Sequence, residues 1–296
     1  MGLLGRLHAW WEGYDTEQDF GEAATSARVG DRSDVVPGQV RTWTRWRVRA
    51  AQRLCGAGSS IPGGAATLAD ELDRLGVGDS DSVGICGAGL GEIARLMASQ
   101  SGARITCVDP DAVLVEAARE LVEEAELGER ISFQQGDYDG KALGEQSCDA
   151  IIAREALFEA ESKEDALRAL HAALKPGGRI LLMDFVDKSE AGATLDASVW
   201  SAFERTNPHL VAAEEYGATL TEFGYDVAEI QDIGGAYCRA ILRALHEFAD
   251  SLERKPVADD LRPWVMWEVE YWARRAQVLE SGDIGYCAIH ATAPAD

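Results

Sequence analysis

Three alternate glycines, Gly87, Gly89 and Gly91, close the apolar run Val83-Gly84-Ile85-Cys86 and are followed at once by Glu92. Glycine at alternate positions removes Cβ atoms where a ligand must lie against the backbone. Behind it, Glu92-Ile93-Ala94-Arg95-Leu96-Met97-Ala98 has helical periodicity. A strand, a tight glycine turn and a helix N-terminus open a nucleotide-binding βαβ unit. A dinucleotide site would carry its third glycine where Glu92 stands, and a carboxylate there repels a pyrophosphate drawn to the helix end. S-adenosylmethionine (SAM) has no phosphate and carries a sulfonium cation. The motif therefore favours SAM and disfavours an NAD-dependent oxidoreductase.

Four more residues could act on such a ligand or its partner. Asp109 ends the run Arg104-Ile105-Thr106-Cys107-Val108, where a carboxylate can accept both ribose hydroxyls. Asp137, in Gly136-Asp137-Tyr138 after the next apolar run, suits an adenine amino group, although loop aspartates commonly serve turns. Glu159 is the candidate base or cation-holding residue, with a solvated acid near a helix start as the equal alternative. His209 is the second catalytic candidate, against the simpler reading of a surface-loop histidine. Trp264, Trp267 and Tyr271 recur at helical spacing and could line an acceptor pocket, but core packing explains the stripe more simply.

The elements that must position these residues alternate. Strands are expected at 81–86, 104–109, 131–135, 148–153 and 179–185, with helices at 92–100, 112–127 and 164–174. A helix at 213–223, a strand at 225–233, a helical stretch at 236–279 broken near Pro256 and Pro263, and a strand at 285–291 follow. The pattern predicts an α/β, Rossmann-like, doubly wound fold with a seven-stranded, mostly parallel sheet whose last strand is antiparallel. An N-terminal helical cap precedes the sheet and a helical insertion precedes the last strand. The expected divisions are 1–38 (a short helix and acidic linker), 39–76 (cap and covering loop), 77–190 (ligand-binding core) and 191–296 (sheet completion with an acceptor-binding insertion).

Taken together, Gly-x-Gly-x-Gly, Asp109, Gly136-Asp137, Asp149-Ala150-Ile151-Ile152 and Lys175-Pro176-Gly177-Gly178-Arg179 resemble, in order and spacing, the class I SAM-dependent methyltransferases. Cys55-Gly56, Ile61-Pro62-Gly63-Gly64, Arg154-Glu155-Ala156-Leu157 and Gly285-Tyr286-Cys287-Ala288-Ile289-His290-Ala291 look like phosphoethanolamine N-methyltransferases and related small-amine enzymes. The resemblance implies methyl transfer from SAM, leaving S-adenosylhomocysteine. It implies a loop at Ser60, Ile61 and Gly63 that closes over SAM, and contacts from Gly87, Gly89, Gly91, Asp109, Pro110, Asp137, Tyr138 and Arg154. The chain departs from the class at Ile85, where an acid usually orients the glycine loop and the methionine amino group; Glu92 and Arg154 are placed to compensate. The family's active-site histidine falls on Glu159 and its tyrosine near Trp43. Glu204-Arg205-Thr206-Asn207-Pro208-His209 has no match to the residues that hold a phosphobase, which argues against phosphoethanolamine as substrate. A catalytically inactive methyltransferase-like protein is the alternative.

Composition narrows the partners. The 296 residues carry a net charge of -23, which disfavours nucleic acid and anionic membranes as unspecific partners. No run approaches a membrane span, and no signal peptide is visible. Six cysteines lie far apart with no metal spacing, which predicts a reduced, cytoplasmic protein without zinc. The expected partner is a small-molecule acceptor; oligomeric state is left open. Between Arg41 and Arg53, five arginines interleave with Trp43 and Trp46; a helix pairing with its own acidic body explains them better than an anion site.

Overall fold

Every apolar run named above becomes a strand of one sheet. The structure is a computed structural model that describes residues 42–138, 141–189, 195–252 and 254–295. The helix expected at Met1–Trp11 and the linker at Asp15–Gly38 lie outside the described residues. The strands are β1 (Ser82–Cys86), β2 (Arg104–Asp109), β3 (Ile131–Gln135), β4 (Cys148–Arg154), β5 (Leu174–Asp187), β6 (Asp226–Asp232) and β7 (Ile284–Thr292), in the spatial order β3-β2-β1-β4-β5-β7-β6. The first five pair in parallel, while β7 lies antiparallel to both β5 and β6. Near-continuous apolar runs suit the central strands because helices cover both faces. In β4, Ala150, Ile151, Ile152 and Ala153 are all buried.

Helices α1 (Arg45–Cys55), α2 (Ala69–Leu75), α3 (Glu92–Gln100), α4 (Ala112–Glu124), α5 (Lys163–Ala173), α6 (Leu195–Phe203), α7 (Ala213–Glu222), α8 (Gly234–Ser251) and α9 (Arg262–Ser281) complete the described chain. Local chemistry sets their starts. Asp111 caps α4 by accepting from Val113 N and Leu114 N, and Ser162 caps α5 by accepting from Asp165 N. Gly91 caps α3 in the left-handed region at φ 73°; a Cβ there would lie 2.5 Å from Phe133 Cζ.

Three local expectations are corrected. Pro263 does not break a helix but sits in the first turn of α9, where its missing N–H is no loss. Strand β5 starts at Leu174, earlier than Arg179, because Cys148 pairs with Leu174 before the register shifts at Ala150 and Arg179. Helix α6 lies in the stretch after Phe185 that shows no clear pattern in the sequence. Its Trp200 is 1% exposed and packs against Phe185 with ring centroids 5.2 Å apart.

What positions the site is the reversal of strand order at β1, which is flanked by β2 on one side and β4 on the other. Loops leaving the carboxyl ends of these strands diverge there and form a crevice. Helices α8 and α9, inserted between β6 and β7, pack on α1. No helix of the described residues is long and apolar enough to cross a membrane.

Candidate active site

At the carboxyl ends of β1, β2 and β4 lies a cavity lined by Gly87, Gly89, Asp109, Tyr138, Arg154, Ser60 and Ile61. Gly87, at φ 75°, must be glycine, since a Cβ would lie 2.0 Å from the Arg154 carbonyl oxygen. Asp109 is held by two backbone donors, Gly89 N at 3.0 Å to Oδ2 and Asp111 N at 3.0 Å to Oδ1. Each oxygen retains acceptor capacity toward the cavity. Burial pushes the Asp109 carboxyl up to about 7, against the lowering effect of those two N–H groups.

The opposite wall is a charged, aromatic one. Arg275, 2% exposed, donates from Nε to Glu204 Oε1 at 2.9 Å and from Nη2 to Glu204 Oε2 at 2.7 Å, and its Nη1 pairs with Glu155. Its guanidinium also lies 4.5 Å from the centre of the Tyr271 ring. Glu155 takes Arg154 Nη2 at 2.6 Å and the Tyr237 hydroxyl at 2.7 Å. Burial alone would raise the Glu155 carboxyl, but Arg154 and Arg275 bring it down to about 2. Glu155 also holds a left-handed backbone, φ 48°, at the end of β4. Such a conformation in a non-glycine residue is a strain kept where a site over-determines it. On α1, Arg47 pairs with the buried Glu268 at 2.6 Å and lies between the Trp43 and Trp267 rings, 4.1 and 4.0 Å from their centres.

Glu159 lines the same cavity and pairs with Arg205. Burial raises its carboxyl, with Arg205 opposing. The segment that carries it is pinned by buried groups. Asp184 accepts from Leu157 N at 2.7 Å and Phe158 N at 2.8 Å. Lys163 Nζ donates to Leu157 O at 2.7 Å, and His209 N donates to Phe158 O at 2.7 Å.

Of the residues singled out in the sequence, Ser60, Ile61, Gly87, Gly89, Asp109, Tyr138, Arg154 and Glu159 therefore converge on one cavity. Gly63, Gly91, Pro110, Asp137 and His209 are not among its lining residues. Asp137 and His209 are exposed, and His209 contributes its backbone rather than its imidazole to the loop. Ile85 is wholly buried in the core, so the position of the class's usual acid offers nothing to the cavity. Of the aromatic stripe, Tyr271 lines the cavity, while Trp267 stacks on it at 5.2 Å. Sequence reasoning missed Glu155, Glu204, Arg205 and Arg275. The available signal was Glu268 and Arg275 sitting on the apolar face of a helix, where charge is rare unless paired.

Residues 85–182 match the methyltransferase-domain family. The sheet and glycine turn around this match have the Rossmann-like fold of solved methyltransferases. The chain's curated relatives include methyltransferase GfsG of Streptomyces halstedii, 25% identical over 65% of this chain and 70% of that one. Phosphoethanolamine N-methyltransferase 3 of Arabidopsis thaliana is 22% identical over 72% of this chain and 44% of that one. In fold, the chain is similar to Haemonchus contortus phosphoethanolamine N-methyltransferase 2 in complex with phosphomonomethylethanolamine and S-adenosylhomocysteine. The TM-score is 0.73 at 18% identity, over 83% of this chain and 57% of that one. The chain thus spans about half the length of the two phosphoethanolamine enzymes.

Proposed function

We propose that the chain transfers the methyl group of SAM to a small-molecule acceptor held between the loop after β4 and helix α9. The observation that carries this reading is one cavity lined both by the glycine turn with Asp109 and by the wall of Glu159, Arg205, Tyr271 and Arg275. A nucleoside and an acceptor would share that space.

The side chains fit SAM. Asp109 offers acceptors for the two ribose hydroxyls. Arg154 lines the cavity, and its buried Nε has no hydrogen-bond partner among the described residues, which suits the carboxylate of the methionine end. That cation stands in for orientation otherwise supplied at position 85. SAM supplies a methyl group already activated by its sulfonium. The protein's share is to hold the acceptor in line and keep water out, with Ser60 and Ile61 closing one side. Glu159 is the group positioned to take a proton from an acceptor that must lose one. The acceptor itself, an amine, oxygen or carbon centre, would lie against the wall of Glu159, Arg205, Tyr271 and Arg275. Six free cysteines fit a reduced, cytoplasmic setting.

Calorimetric titration of the purified protein with SAM and S-adenosylhomocysteine tests the reading. Micromolar binding of both is expected; no binding at millimolar ligand would leave a methyltransferase-like protein without its cofactor, disabled at Ile85. Asp109→Ala should weaken binding by about 1.5–3 kcal/mol, roughly 10- to 150-fold, through loss of a charge-assisted acceptor pair. The pH dependence has a definite sign. Burial raises the Asp109 carboxyl to about 7 in the ligand-free protein, and hydroxyl donors favour its ionised form. Affinity should therefore rise with pH up to about 7 and then level off, and Asp109→Ala should lose that slope.

A further inference from the structure

From the sequence, Glu92 excludes a phosphate and is placed, with Arg154, to compensate for the acid missing at Ile85. Its carboxylate, 7% exposed, is not among the cavity's lining residues and lies against the loop that gives Ser60 and Ile61 to the cavity wall. It accepts from the Ser59 hydroxyl, from Ser60 N at 3.2 Å and from the Ser60 hydroxyl at 3.4 Å. One turn further along α3, Arg95 donates to Gly58 O and, at 2.5 Å, to Leu90 O. Two side chains of one helical face thus grip three consecutive loop residues, Gly58, Ser59 and Ser60.

We propose that Glu92 and Arg95 are positioning residues that clamp the Gly58–Ile61 segment onto the glycine turn, and that cofactor affinity depends on this clamp. The proposal rests on the SAM reading above. The loop contains Gly56, Gly58, Gly63 and Gly64, all with positive φ, so ordering it costs more backbone entropy than an average loop. Only Ile61 among its residues offers a large buried apolar group. Conversely, a buried carboxylate stripped of its donors is costly. The dependence is therefore mutual: the loop satisfies Glu92, and Glu92 orders the loop. The Ser59 hydroxyl extends the grip, since it also accepts from Ile61 N at 3.2 Å.

Backbone hydrogen exchange of the ligand-free protein, paired with calorimetric titration by S-adenosylhomocysteine, tests the clamp. In Glu92→Ala, exchange at Ser59, Ser60 and Ile61 should accelerate about tenfold or more, and the Kd should rise about tenfold. KM for SAM should rise in step while kcat at saturating SAM holds. Glu92→Gln keeps the length and one acceptor oxygen and should restore both readouts to within about threefold. Ser59→Ala, made from the loop side, should reproduce the Glu92→Ala exchange pattern without leaving a core cavity. Unchanged exchange in both Ala variants overturns the clamp. Absence of S-adenosylhomocysteine binding by the wild-type protein overturns the SAM reading, and with it the dependence of affinity on the clamp.

Discussion

Replacing Arg275 by alanine is expected to destabilise the fold by about 3–5 kcal/mol, because it leaves the buried Glu204 without its cation and takes from Glu155 one of its two. Both Glu155 and Glu204 direct oxygens at this one guanidinium, and the Arg275 and Glu204 side chains are each 2% exposed. At roughly 2–4 °C per kcal/mol for a chain of this size, the melting temperature should fall by roughly 6–20 °C. The pH dependence separates lost charge pairing from lost volume. Glu155 is held down at about 2 by Arg154 and Arg275 together, so the share of its pairing that Arg275 supplies stabilises the protein fully above the unfolded carboxyl value of about 4.3 and is lost as pH falls toward 2. The deficit of Arg275→Ala should accordingly be largest at neutral pH and narrow below about pH 4. Neutralising the Arg275–Glu204 pair alone, Arg275→Met with Glu204→Gln, leaves Glu155 paired with Arg154 and should recover much of the loss, since a buried ion pair contributes little beyond its neutral counterpart. Denaturant unfolding of both variants at pH 7 and pH 4 measures this. A loss under about 1 kcal/mol for Arg275→Ala would mean that water reaches the pair in solution.

That network is also where sequence reasoning stops. Strand and helix identity was legible because burial imposes a period: Arg104–Asp109, Ile131–Gln135 and Glu92–Gln100 match their expected bounds. The glycine turn was legible because backbone approach excludes a Cβ, as Gly87 shows against Arg154 O. The arginine-rich helix α1 pairs with the protein's own acids, Arg47 with Glu268 and Arg45 with Glu116. The charged wall was not legible, because it joins residues 155, 204, 205 and 275 from three separate stretches of the chain. No spacing along the chain encodes their meeting. Helix α6 escaped for a related reason: its Trp200 is fixed by the aromatic partners Phe158 and Phe185, not by a local cap or period. His209 could not be placed from sequence either, since its contribution is a backbone N–H.

Glu159→Gln is expected to lower kcat for a hydroxyl acceptor about 10²- to 10⁴-fold while leaving cofactor affinity within a few-fold of the parent. The geometry sets this apart from the other acids of the wall. Glu155 is committed to Arg154, Arg275 and Tyr237, and it stays ionised to about pH 2. Asp109 is committed to Gly89 N and Asp111 N beside the glycine turn. Among the described residues Glu159 forms one ion pair, with Arg205, and burial raises its carboxyl. It is thus the carboxylate of this wall most ready to take up and return a proton. For a base of raised pKa, kcat rises with pH through that pKa and is flat above it, and Glu159→Gln should abolish this acid limb. Arg205 opposes the raising effect of burial, so Arg205→Ala should shift the limb to higher pH and leave less active base at neutrality. Rate–pH profiles of the three proteins, taken with a hydroxyl acceptor found by screening, decide the matter. A kcat for Glu159→Gln within about threefold of the parent, with the limb intact, would show that the acceptor needs no base and that Glu159 serves to hold it, which would then appear in KM.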